Sequence, residues 1–147
     1  VSPQGPVYQA GTLSGNPVAM AAGMSMLTQI VSDKQLHSGL ADITERIEVG
    51  FQRNLDELGL GYTMNRVGSM VSLFFTEEKV VDFETAKTSS TELFGKYFRE
   101  MLNNGIYLAP SQYETLFISK AITEGIADKI IAANRTSLEA IHYKTRS

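Results

Sequence analysis

Residues 18–30 constrain this chain more than any other stretch. They are small and apolar on nearly every side of the helix they spell: Ala19, Met20, Ala21, Ala22, Gly23, Met24, Met26, Leu27 and Ile30 all fall within one helical run. A helix that is apolar all round needs partners on several sides. The run that follows is different. Leu36, Leu40, Ile43, Ile47, Phe51, Leu55 and Leu58 recur at spacings of three and four, and Asp42, Glu45, Arg46, Glu48, Arg53 and Glu57 fill the opposite face. That is one apolar stripe, which a single sheet can cover. The change of pattern near Asp33 divides the chain into two expected parts. Residues 1–32 read as the end of a large domain, and residues 33–147 as a domain with its own core. The Pro/Gly-rich opening and the lack of an initiator methionine make a piece of a longer protein the expectation.

Punctuation supplies the remaining elements. Residues 7–10 form a short extended run and residues 11–15 a turn. Asn16 caps the first helix with Pro17 preset at its first position. Asp33 caps the second helix, which Gly59 and Gly61 stop. Residues 62–64 and 69–76 read as strands around a turn over 65–68. Asp82 caps a third helix carrying Ala86, Leu93, Phe94, Tyr97, Phe98, Met101 and Leu102, which ends at Asn103-Asn104-Gly105. Residues 106–108 and 116–119 read as two further strands, and Thr123 caps a last helix. The order predicts an α+β fold, a small antiparallel sheet covered by helices. A strand-turn-helix from the large domain precedes it.

Composition narrows the chemistry. The 147 residues are 43% hydrophobic and 20% charged, with a net charge of -3 and no long basic run, so no nucleic-acid partner is expected. No membrane-spanning or secretory pattern is visible, so no membrane partner is expected either. Zero cysteines exclude a thiolate nucleophile or a disulfide and fit a cytoplasmic location. His37 and His142 lie far apart, and no metal site is expected.

Three features can carry function. Gly11, Thr12, Ser14 and Gly15 stand just before a helix start. Backbone N–H groups in such a turn can converge on an anion, or the stretch can be an ordinary capped helix start. Glu114 follows Pro110 in a polar loop before an apolar strand, either facing a site or simply solvated. Tyr8 can contact a substrate or pack. No catalytic residue is assigned within the chain.

The stretches "GPVYQAGTLSGNPVAMAAG" and "MLNNGIYLAPSQYE" resemble the class III, fold-type I aminotransferases that use pyridoxal phosphate, and within them the glutamate-1-semialdehyde aminomutases, near the C-terminus. The resemblance implies that glutamate-1-semialdehyde is isomerised to 5-aminolevulinate for tetrapyrrole synthesis by a homodimer. It implies that Gly11 and Thr12 hold the phosphate of a neighbouring subunit's pyridoxal 5'-phosphate, with Tyr8 and Glu114 near the substrate. The family's Schiff-base lysine lies upstream of the Tyr8 to Thr12 run, so the chain alone is expected to be inactive. Two other readings stay open, an ω-aminotransferase with a different amino donor and a non-catalytic α+β binding module.

Overall fold

The computed structural model describes residues 1–8 and 10–143. It divides into two compact units, Val1–Leu36 and a second from His37 onward.

The first unit is a turn and a helix. The turn at residues 12–15 closes through Ser14 N–H to Gly11 O (3.0 Å) and Asn16 N–H to Leu13 O (3.0 Å). Helix α1 (Pro17–Ser32) then begins on Asn16, whose side chain accepts from the N–H of Val18 and Ala19. None of its residues is buried. Met20, Met24, Met26 and Leu27 are all more than half exposed. Residues 7, 8 and 10 form no strand, and Gln9 of that expected run lies outside the described residues. A strand needs a neighbour to pair with, and among the described residues the one backbone bond here is Ser2 N–H to Val7 O (2.7 Å).

The second unit is an α+β domain. Helix α2 (Leu36–Leu58) buries Ile47, Phe51 and Leu55 from its apolar stripe. Asp33 ends α1 and also stands at the approach to α2, where its carboxylate takes the Gln35 N–H (3.2 Å) and its carbonyl the Leu36 N–H (3.1 Å). Strands β1 (Thr63–Val67) and β2 (Met70–Phe74) form a hairpin with Val67 opposite Met70. The turn is tighter than the 65–68 turn expected. Gly68 at the first central position adopts φ 57°, which allows a two-residue connection and keeps residues 65–67 in the strand.

The expected third helix is two. Helix α3 (Phe83–Ala86) starts on the Asp82 capping box, and helix α4 (Thr91–Asn103) starts on Ser90, whose hydroxyl accepts from Leu93 N–H (3.2 Å). The hydroxyl run Thr88-Ser89-Ser90 breaks the pattern, because such side chains compete for backbone groups. Residues 106–108 form no strand. Strand β3 is only Leu116–Phe117, paired antiparallel with β2 at Val71 and Met70, so the sheet runs β1-β2-β3. Helix α5 (Glu124–Tyr143) follows with Thr123 as its cap.

Alternation along β2 sorts its side chains. Leu73, with Phe75 beyond the strand end, joins Leu55 of α2, Tyr97 and Met101 of α4, and Leu138 of α5 in the main core. Phe74 turns to the other face, against Val80 and Ala86. Each large apolar side chain so buried contributes about 1.5–3 kcal/mol. The helices are also locked by polar groups inside that core. Asn54 Nδ2 donates to Ile131 O (2.9 Å) and Asn134 Oδ1 (2.8 Å), and Asn134 Nδ2 donates to the Tyr97 hydroxyl (2.8 Å). Burial pushes the Tyr97 phenol far above its ordinary pKa. Among the described residues no helix is long and apolar enough to cross a membrane.

Two outcomes follow. Helix α2 meets α5 at Gly50, where an added Cβ would lie 2.5–2.8 Å from three carbons of Ile131. Gly50→Ala should therefore lower the denaturation free energy by about 1–3 kcal/mol, despite the better helix propensity of alanine. In an Ile131→Ala background the same change should be neutral or stabilising, and denaturant titration of both pairs checks it. Helix α1, with nothing buried, should exchange its amide hydrogens like an isolated 16-residue helix when the 147-residue chain is monomeric. Equal protection of α1 and α2 by hydrogen exchange would contradict the division into two units.

Candidate functional site

The turn before α1 is organised by what Asn16 removes. Four N–H groups at a helix start have no partner within the helix. Here Asn16 donates to Leu13 O (3.0 Å), Pro17 has no N–H to offer, and Val18 and Ala19 donate to Asn16 Oδ1 (3.0 and 3.1 Å). The helix terminus is thus spent on its own cap, contrary to the simplest picture of an anion held by the helix end. Unpartnered donors stand one step upstream. The N–H groups of Gly11 and Thr12 and the Thr12 hydroxyl make no hydrogen bond among the described residues. Gly11 has room for close approach because it lacks a side chain, and a Cβ there would meet Ser14 Oγ at 2.8 Å. Tyr8 is 81% exposed in the same unit. No lysine or arginine precedes Lys34, so this cradle is built from neutral donors.

Glu114 belongs to the second unit. Residues 111–114 form a turn closed by Glu114 N–H to Ser111 O (3.1 Å) and tightened by Tyr113 N–H to Ser111 Oγ (3.2 Å). One side chain ties this turn to the core. Gln112, only 4% exposed, donates through Nε2 to Leu73 O (2.9 Å) and accepts at Oε1 from the Ser89 hydroxyl (2.8 Å). Ser89 Oγ in turn accepts from Phe75 N–H (2.8 Å). Tyr113 packs against Phe83, with ring centroids 5.7 Å apart. Glu114 itself is exposed, and its carboxylate has no partner among the described residues. The sequence analysis missed Gln112 and Ser89, since a polar residue in a loop reads as solvated unless its neighbours in space are known.

The second unit also holds an apolar cleft of about 300 Å³ lined by Ile47, Phe51, Val71, Leu116 and Ile118, with Tyr107 as its one titratable lining group. The polar side chains in its lining are those of Tyr107, Thr115 and Ser119. No group of three or more His, Cys, Asp or Glu side chains suited to a metal occurs among the described residues.

Comparison with known proteins sharpens this picture. The glutamate-1-semialdehyde 2,1-aminomutase of Cytophaga hutchinsonii is 53% identical over 142 residues, which is 97% of this chain and 33% of that protein. The enzymes of the same name from Chlorobaculum tepidum (49% over 140 residues; 95% of this chain, 32% of that protein) and Salinibacter ruber (47% over 143 residues; 97% and 33%) match in the same way. The chain spans about a third of the length of the curated relatives it matches. No protein-family model matches it. Among solved structures, a glutamate-1-semialdehyde-aminomutase from Pseudomonas aeruginosa PAO1 superposes with a TM-score of 0.78 at 20% identity, over 96% of this chain and 32% of that one. A transaminase with PLP bound gives a TM-score of 0.79 at 21% identity, over 96% of this chain and 31% of that one. At those identities the structures establish the fold, which is that of part of a fold-type I transaminase. About half of its residues are identical along almost its whole length, so the chain matches the C-terminal portion of glutamate-1-semialdehyde 2,1-aminomutases.

Proposed function

We propose that this chain is the C-terminal part of a pyridoxal-phosphate-dependent glutamate-1-semialdehyde 2,1-aminomutase, a homodimeric cytoplasmic isomerase that makes 5-aminolevulinate for tetrapyrrole synthesis. The observation that carries the proposal is the 53% identity to the Cytophaga hutchinsonii enzyme over 97% of the chain. The whole enzyme would take its Schiff-base lysine from residues outside these 147. Residues 1–32 would close the large cofactor domain, and residues 33–147 would form the C-terminal domain.

The chain's own groups fit that chemistry. Pyridoxal phosphate, when bound, supplies an electron sink for the carbon that bears the migrating amino group, and its phosphate needs hydrogen-bond donors. The unpartnered N–H groups of Gly11 and Thr12, with the Thr12 hydroxyl, are such donors, and Gly11 leaves them uncovered by a side chain. In this reading they serve the active site of the neighbouring subunit and hold the phosphate end in place. Tyr8, four residues before Thr12, offers a phenolic hydroxyl to the same active site. The exposed Glu114 carboxylate accepts a hydrogen bond from the amino group of the substrate.

Two experiments test this. The full-length protein should convert glutamate-1-semialdehyde to 5-aminolevulinate without a 2-oxo acid as amino acceptor. Turnover that required a 2-oxo acid would instead make it an ω-aminotransferase. Thr12→Val in that protein should weaken pyridoxal phosphate retention by about 1.5–3 kcal/mol, the worth of a hydrogen bond to a charged group, while the fold survives. Thr12→Ser should restore most of the loss, and unchanged affinity of Thr12→Val in a spectrophotometric titration would remove Thr12 from the cofactor site.

A further inference from the structure

Strand β2 pairs with β3 only at Met70 and Val71. Further along, side chains take over the work of a strand. The Leu73 carbonyl receives Gln112 Nε2 (2.9 Å), the Phe75 N–H goes to Ser89 Oγ (2.8 Å), and the Ser89 hydroxyl goes on to Gln112 Oε1 (2.8 Å). One buried amide therefore closes a continuous chain of hydrogen bonds from the end of β2 to the 111–114 turn. Its orientation is fixed, because the carbonyl of Leu73 demands the NH₂ end and leaves the oxygen for Ser89. On the far side of Glu114, Ser72 Oγ donates to Thr115 Oγ1 (3.1 Å). Glu114 is thus held between two tethered neighbours, while its own carboxylate has no partner among the described residues.

We propose that Gln112 is a positioning residue whose buried amide fixes the 111–115 loop on β2 and thereby directs the Glu114 carboxylate to the substrate. The inference rests on the assignment of Glu114 to the substrate site. Ser89 completes the tether by orienting the Gln112 oxygen. A loop carrying a substrate-facing charge gains from such a tether, because a displacement of about 1 Å at a contacting group can cost a hundredfold in rate.

The test uses the full-length protein with Gln112→Met, which keeps the length and loses both hydrogen bonds. Gln112→Asn is the milder second variant; it keeps the amide on a shorter side chain that cannot reach both partners. Hydrogen exchange should show lost protection at residues 111–115 with α4 and α5 unchanged. With glutamate-1-semialdehyde, kcat/KM should fall roughly tenfold to a hundredfold. In a Glu114→Gln background, Gln112→Met should produce no further fall, since residues acting through one contact are not additive. Unaltered protection at 111–115 in both variants would overturn the tether. Lost protection together with a fully additive kinetic loss would overturn the positioning role. Lost protection with no effect of Glu114→Gln alone would remove Glu114 from the substrate site, and the positioning role with it.

Discussion

The contact of α2 with α5 is the constraint on which the second unit depends. At Gly50 the two helices come so close that not even a methyl group fits beside Ile131. Four residues on, Asn54 crosses the same seam to the Ile131 carbonyl and to Asn134, which hands the chain of hydrogen bonds on to Tyr97 of α4. The apolar contact sets the distance between the helices. The buried amides set their register, since each would be left unpaired by a shift of one residue, at about 1–3 kcal/mol per lost partner. With α2, α4 and α5 fixed in this way, the inner face of β2 has one surface to cover, and Leu73 and Phe75 complete the core.

The groups that suit chemistry all lie outside this core, on turns whose backbone the core or a cap immobilises. In the first unit Asn16 absorbs the donors of the helix start, and the Gly11 and Thr12 N–H groups upstream stay without a partner among the described residues, as do those of Leu13 and Gly15. In the second unit Gln112 is drawn inward, and Glu114 remains outward. Both arrangements spend one amide side chain on internal bonding and leave a neighbouring polar group exposed. The apolar cleft beside Phe51 has only Tyr107, Thr115 and Ser119 as polar side chains in its lining.

Much of the fold was legible because it rests on periodicity and caps. The stripe from Leu36 to Leu58, the Thr123 start of α5 and the Asn16–Pro17 start of α1 all appear where spacing puts them. The failures have local causes. Ser90 looked like part of a longer helix until its hydroxyl proved to cap a new one. Residues 106–108 are β-prone yet form no strand, and β3 stops at Phe117, where Ile118 N–H goes to Ser69 O (2.9 Å) in the β1–β2 turn. The assignment of Gly11, Thr12 and Glu114 to a site rests on their resemblance to a family, whereas Gln112 carries no one-dimensional signal. Its burial arises from residues 73, 75 and 89, which only the folded chain brings together.

The central claim is that the turn before α1 serves a phosphate with the donors its own cap leaves over. A crystal structure of the full-length protein with pyridoxal phosphate tests it most directly. The account predicts phosphate oxygens within about 3 Å of the Thr12 N–H and hydroxyl, with Gly11 beside them and the cofactor lodged in the neighbouring subunit. A phosphate held wholly by other residues, with Thr12 turned to solvent or bonded within its own turn, would contradict it.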